Sequence, residues 1–143
     1  MKVVKGDIWD YVDEGWIVIP TNGSIGKYGA IMGAGLALET KQRFPKLPKL
    51  LEERLITWGN GVYVFDEYKL ITLPTKHSYK DRKSDIMFMA ENIYTLKTLS
   101  LHLWPQDFYL PKLGCGKGGL KWKDVEEAMD LWLDERFTVV DRV

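Results

Sequence analysis

The chain has 143 residues, 45% of them hydrophobic and 28% charged, with 20 basic residues against 20 acidic ones. That length suits one domain (residues 1–143) with a buried core, and the charge balance supplies no global field toward nucleic acid or a membrane. No long apolar run follows the first lysines and the only cysteine is Cys115, so a signal peptide, a membrane span and an internal disulfide are not expected, and a reducing cytoplasm suits the chain.

Lys2–Lys5 reads as a short strand, and Gly6-Asp7-Ile8 turns out of it. Asp7 at a strand end is able to accept hydrogen bonds from an exocyclic amine or from backbone N–H groups; taken alone, a turn or cap role is the better reading. Trp16–Pro20 is an uninterrupted apolar run, the mark of a strand covered on both faces, and it ends in Thr21-Asn22-Gly23. A polar amide just past a buried strand is where open α/β sheets keep their ligands, although Asn before Gly is also a common turn. Glycine then recurs at 23, 26, 29, 33 and 35, and Ile31-Met32-Gly33-Ala34-Gly35 feeds a helix with Leu36, Thr40 and Phe44 stacked at i, i+4 until Pro45 stops it. A second helix starts near Pro48, with Leu47, Leu50 or Leu51, Leu55 and Trp58 on one face. The runs 62–65 and 69–73 read as a strand pair. A polar, mostly basic loop follows, Pro74-Thr75-Lys76-His77-Ser78-Tyr79-Lys80-Asp81-Arg82-Lys83. It leaves a third strand end, so it either closes over the same pocket or is a solvated connection.

Ser84 suits the N-cap of a long helix to about Leu103, with Ile86, Met89, Ala90, Ile93, Leu96 and Leu103 inward. The strand 107–113 then enters Gly114-Cys115-Gly116-Lys117-Gly118-Gly119, four glycines in six residues, and a helix leaves near Trp122 with Val125, Met129 and Trp132 or Leu133 inward. A strand, a glycine loop and a helix N-terminus turn free N–H groups and the positive end of a dipole toward one point, for which phosphate is the natural occupant. The bland alternative is a flexible turn, but it would have to hold at both glycine loops. Gly114, Gly116 and Gly119 also match a G-x-G-x-x-G dinucleotide fingerprint, with Asp141 as the distal acid. Only 24 residues follow Gly119, too few for the rest of a dinucleotide fold. With a last strand at 137–141, about six strands alternate with about four helices, giving a three-layer α/β/α sandwich with a mixed sheet. Most of the six tryptophans are expected in the core.

Together, Gly6-Asp7-Ile8, Ile17 to Asn22, Met32-Gly33-Ala34-Gly35 before Phe44-Pro45, and Leu110 to Trp122 resemble the macrodomain family of ADP-ribose binders. Met-Gly-Ala-Gly, Leu73-Pro74-Thr75-Lys76 and Leu113-Gly-Cys-Gly-Lys-Gly-Gly-Leu-Lys-Trp122 are most similar to the terminal ADP-ribose glycohydrolase and DNA ADP-ribosyl glycohydrolase antitoxin branch. The resemblance implies that Asp7 accepts from the adenine amine beside the Ile8 N–H, and that Asn22 touches the distal ribose. It implies that Gly33, Ala34 and Gly35 lie along one side of the diphosphate, that Gly114, Cys115, Gly116, Lys117 and Gly118 wrap the other, and that Met32, Thr75 and Gly119 belong to the same substrate-binding set. Lys76 would be the catalytic lysine at the anomeric carbon, and no metal or other cofactor is implied beyond the ligand ADP-ribose. Such a lysine must be available as a free amine, which His77 and Lys80 would favour by like-charge repulsion.

The protein-acyl glycohydrolases carry a catalytic Asp about where this chain has Lys117, the nearest acid here being Asp124. That departure tilts the reading toward the DNA-directed group, with Lys80, Arg82 and Lys83 beside the pocket to meet nucleic-acid phosphates. The expected activity is thus hydrolytic removal of ADP-ribose from a DNA base or an acidic protein side chain, by a cytoplasmic monomer. The rivals are a non-enzymatic ADP-ribose reader, an ADP-ribose-1″-phosphate phosphatase, and a nicotinamide oxidoreductase in which Asp141 contacts ribose and the first glycine loop is idle.

Overall fold

In the computed structural model, which describes residues 1–142, eight strands and four α-helices run in the order β1 (Lys2–Lys5), β2 (Trp16–Thr21), β3 (Ile25–Gly26), β4 (Gly29–Ala30), α1 (Gly35–Arg43), α2 (Leu47–Trp58), β5 (Tyr63–Phe65), β6 (Leu70–Pro74), α3 (Ile86–Ser100), β7 (Phe108–Leu110), α4 (Trp122–Trp132) and β8 (Phe137–Asp141). A 3-10 turn over Ile8–Tyr11 and the small β3–β4 hairpin are additions to the expected elements.

The main sheet has the order β1-β8-β7-β2-β6-β5, parallel throughout except for β5 against β6. Its faces are sorted by the period-2 alternation of the central strands. Trp16 and Val18 of β2, with Ile71 and Leu73 of β6, pack against Met89, Ile93 and Leu96 of α3 and Val125 and Met129 of α4. Ile17, Ile19 and Leu70 face the other way, onto Leu47, Leu51 and Leu55 of α2 and onto Ile8 and Trp9. This gives the three-layer α/β/α arrangement expected. β2 has no polar face because both of its faces are covered.

Ser84 does not cap α3. Asp85 does, accepting from the N–H groups of Met87 (3.0 Å) and Phe88 (3.1 Å), and the shorter side chain one residue earlier is buried elsewhere. Trp58, the last residue of α2, is 77% exposed rather than inward, because burial along the helix ends about one turn earlier, at Leu55. Leu133, not Trp132, is the inward residue after α4. Only Trp9 and Trp16 are fully in the core, while Trp58, Trp104 and Trp132 are exposed. Among the described residues no helix is long and apolar enough to cross a membrane.

Candidate functional site: a cleft at the carboxyl edge of the sheet

Because β1, β8, β7, β2 and β6 are parallel, their carboxyl ends share one edge, and each is followed there by a polar or glycine-rich segment. Open α/β sheets hold ligands outside that edge. Here a cleft of about 480 Å3 is walled by Asn22, by Gly33, Ala34 and Gly35, by Thr75 and Lys76, and by Gly114, Gly116, Lys117 and Gly118. Four segments spread over nearly a hundred residues of sequence therefore meet at one place.

The first wall is the start of α1. Its N-cap, Ala34, offers no side-chain hydrogen bond, so the first-turn N–H groups are left for another acceptor. The second is the loop after β7. It is closed on itself by hydrogen bonds from Leu120 N to Gly114 O (2.9 Å) and from Gly119 N to Gly116 O (3.1 Å). Gly118 admits no side chain, since a Cβ there would lie 2.4 Å from Gly114 O and 2.3 Å from Ser84 Oγ. Gly119 turns the chain at φ +70° and does not line the cleft. An uncapped helix end across a cleft from a glycine-rich loop is a setting suited to an anion.

Ser84 is the tie between the loops. Its N–H donates to Gly118 O (2.8 Å) and its hydroxyl to Thr75 Oγ1 (3.3 Å), and it also lines the cleft. Asn22 is held by its own turn: Nδ2 donates to Ile31 O (3.2 Å) and Oδ1 accepts from Ser24 N (2.9 Å). Lys76 follows the end of β6 and lines the cleft. His77 is directed away from that role, paired through Nε2 with Asp85 Oδ2 (2.9 Å) and stacked on Phe88. The Asp85 carboxyl is thereby held below the usual carboxylate range, the His77 contact being the main cause.

A second cavity of about 320 Å3 continues the cleft along the sheet edge. It shares Leu36, Pro111, Lys112 and Gly116 with the first and adds Gly6, Ile8, Cys115, Asp141 and Arg142. Asp7 itself is exposed beside it and caps the 3-10 turn by accepting from Trp9 N (3.0 Å). Lys112, which the motif contained without an assigned role, lies between the two cavities with Nζ 3.0 Å from Asp141 Oδ2. Asp141 is thus tied to a lysine, and the first glycine loop lines the cleft, an arrangement unlike that of the nicotinamide reading. Burial pushes the Cys115 thiol up, so it remains protonated at neutral pH and is a wall contact. Met32, 2% exposed, sits behind the wall in the core, where its apolar side chain packs with Ile19 and Leu47.

Among the described residues lining the first cavity there are three lysines, Lys76, Lys112 and Lys117, and no carboxylate or histidine. Asp124 lies outside it, exposed on α4. Lys80, Arg82 and Lys83 are exposed on the adjoining loop, whose turn is held by Asp81 Oδ2 accepting from His77 N (3.2 Å) and Ser78 N (3.1 Å). Tyr79 from this loop reaches the rim of the cleft. No cluster of three or more His, Cys, Asp or Glu among the described residues is placed to hold a metal ion.

The macrodomain of Thermus aquaticus DarG superposes on 99% of this chain with a TM-score of 0.79 at 23% identity, and the match covers 97% of that macrodomain. By fold this chain is a macrodomain. A second structure, Thermosipho africanus DarTG in complex with ADP-ribose, aligns with all of the macrodomain described here at a TM-score of 0.81 and 19% identity, over 42% of its own length. In sequence the macrodomain is 29% identical over 109 residues to a Mycobacterium tuberculosis DNA ADP-ribosyl glycohydrolase, a match covering 69% of this chain and 30% of that protein. The chain spans about a third of the length of the curated relatives it matches. No protein-family model matches it.

Proposed function

We propose that this macrodomain binds ADP-ribose across the two joined cavities and hydrolyses its bond to a macromolecule, with DNA as the first-choice carrier. The observation that carries the reading is that the uncapped start of α1, the loop residues Gly114, Gly116, Lys117 and Gly118, and Lys76 line one cleft. The diphosphate lies between the α1 N-terminus and the loop 114–118, where aligned N–H groups and a helix dipole favour negative charge. The adenosine half lies in the cavity bounded by Ile8 and Asp141, next to Asp7. The distal ribose is then at Asn22 and Lys76. The relative from Mycobacterium tuberculosis is named for DNA ADP-ribosyl hydrolysis, which supports the choice of carrier.

Lys76 supplies the chemistry in this proposal. In its unprotonated form the amine bonds to the anomeric carbon as the bond from that carbon to the linked group breaks. The proton released from the new ammonium goes to the departing group. Water then adds at the same carbon, the carbon–lysine bond breaks, and ADP-ribose and the free lysine are regenerated. Among the described residues no carboxylate lines the first cavity, where Lys76 lies, so the lysine acts without the acid partner of the protein-acyl enzymes. The same feature favours a second reading, a reader that binds ADP-ribose and turns nothing over. Lys76→Ala decides between them, with ADP-ribosylated oligodeoxynucleotide and acyl-linked ADP-ribosyl protein as substrates. Retained affinity for ADP-ribose with turnover lowered by about 100-fold or more supports the hydrolase. Wild-type binding without turnover of either substrate identifies a reader, and absence of binding refutes both.

A further inference from the structure

The peptide segment that presents Lys76 is held at three successive carbonyls by three different groups. Pro74 O accepts from Asn92 Nδ2 (3.0 Å) and Thr75 O from Asp85 N (3.0 Å), both from the α3 side. Lys76 O accepts from Asn60 Nδ2 (3.0 Å), which comes from the turn between α2 and β5. Asn60 ties the carbonyl of the Lys76–His77 peptide, whose N–H donates to Asp81 Oδ2 (3.2 Å). It does not line either cavity.

The Asn60 amide is also fixed from behind. Its Oδ1 is buried with no hydrogen-bond partner among the described residues, an arrangement that native structures seldom keep without a reason. Gly23, at φ +76°, approaches so closely that a Cβ there would lie 2.3 Å from Asn60 Cγ. A glycine next to Asn22 thus makes room for the amide that holds Lys76. The three features together describe a clamp rather than a chance contact.

We propose that Asn60 is a positioning residue for Lys76, fixing the peptide from which its amine reaches the anomeric carbon. The proposal rests on the reading of Lys76 as the catalytic group. Without Asn60 that peptide is left to the exposed 3.2 Å bond from His77 N–H to Asp81, so it can pivot about that end, and the long side chain magnifies the movement at Nζ. A misplacement of about 1 Å at a reacting group costs roughly 100-fold in rate. Ligand binding is untouched by this change, because the cleft walls keep their other anchors.

The test is steady-state turnover of an ADP-ribosylated oligodeoxynucleotide and of an acyl-linked ADP-ribosyl protein by wild type, Lys76→Ala, Asn60→Ala and Asn60→Asp, with calorimetric titration of ADP-ribose alongside. Asn60→Asp keeps the shape and removes the donor, so it also serves if Asn60→Ala fails to fold. The expected result is a kcat lowered by about 10- to 100-fold in both Asn60 variants, with KM and ADP-ribose affinity within about twofold of wild type. Wild-type kcat in either Asn60 variant overturns the proposal, as does a loss of kcat matched by an equal loss of affinity. Failure of the underlying reading looks different: wild type is inactive on both substrates, or Lys76→Ala is as active as wild type.

Discussion

Gly33→Ala separates a glycine kept for a ligand from a glycine kept for the fold. Gly33 is on the cleft wall, its φ lies outside the left-handed region, and a Cβ built on it meets nothing within 4 Å. The folded chain therefore has room for alanine, and the loss of unfolded-state freedom is expected to raise stability by about 0.4–1 kcal/mol. The methyl group stands in the cleft beside the uncapped start of α1. If it displaces one charge-assisted hydrogen bond between this backbone and a phosphate, the loss is about 1.5–3 kcal/mol. That is a rise in Kd of about 10- to 150-fold. Denaturant unfolding measures the first effect and calorimetric titration with ADP-ribose the second. Affinity equal to wild type would refute the reasoning, because a ligand that ignores a methyl group there is not lying against this backbone.

Gly118→Ala is expected to behave differently, since its Cβ would meet the Gly114 carbonyl at 2.4 Å, and backbone cannot swing aside as a side-chain tip does. Overpacking of that kind costs about 1–3 kcal/mol, so both the unfolding midpoint and ADP-ribose affinity should fall; unchanged stability would show that the loop repacks freely. Far from the cleft, Asp134 binds Arg136 and Lys97, and these contacts, Arg136 foremost, hold its carboxyl well below the usual carboxylate range. A depressed folded value means that the stabilisation is fully present above the ordinary carboxylate pKa of about 3.9 and disappears as pH falls through the folded value. Asp134→Asn should accordingly lose about 1.5–3 kcal/mol at pH 7, with the gap to wild type closing only in strong acid. Urea unfolding at a series of pH values reads this directly, and a gap independent of pH would contradict it.

The layers of this protein are written in local pattern. The unbroken apolar run of β2 is a strand covered on both faces, and the structure places it in the middle of the sheet. The i, i+4 stack ending at Phe44-Pro45 and the Val125–Met129 spacing mark α1 and α4 because a helix face is a short-range property of the chain. Both glycine loops are legible for the same reason, being conformational needs of consecutive residues. Trp58 is a case where periodicity misleads: it falls on the right side of α2, yet burial along that helix ends about one turn earlier, at Leu55.

Local pattern was enough for the strands of the main sheet, the four helices, the glycine loops and the cluster of residue types that a diphosphate ligand calls for. That these loops share one edge follows from strand order and parallel pairing, which bring Lys76 to the same cleft as Gly118 from some forty residues away. The tertiary structure alone gave Ser84, Lys112 and Asn60 their places. A serine that reads as a helix cap becomes a buried tie between loops. A lysine inside a motif becomes the partner of Asp141, and a turn asparagine becomes the clamp on Lys76. Hydrogen bonds between side chains and distant backbone leave no period in the sequence, since what fixes them is the packing of elements that are remote along the chain.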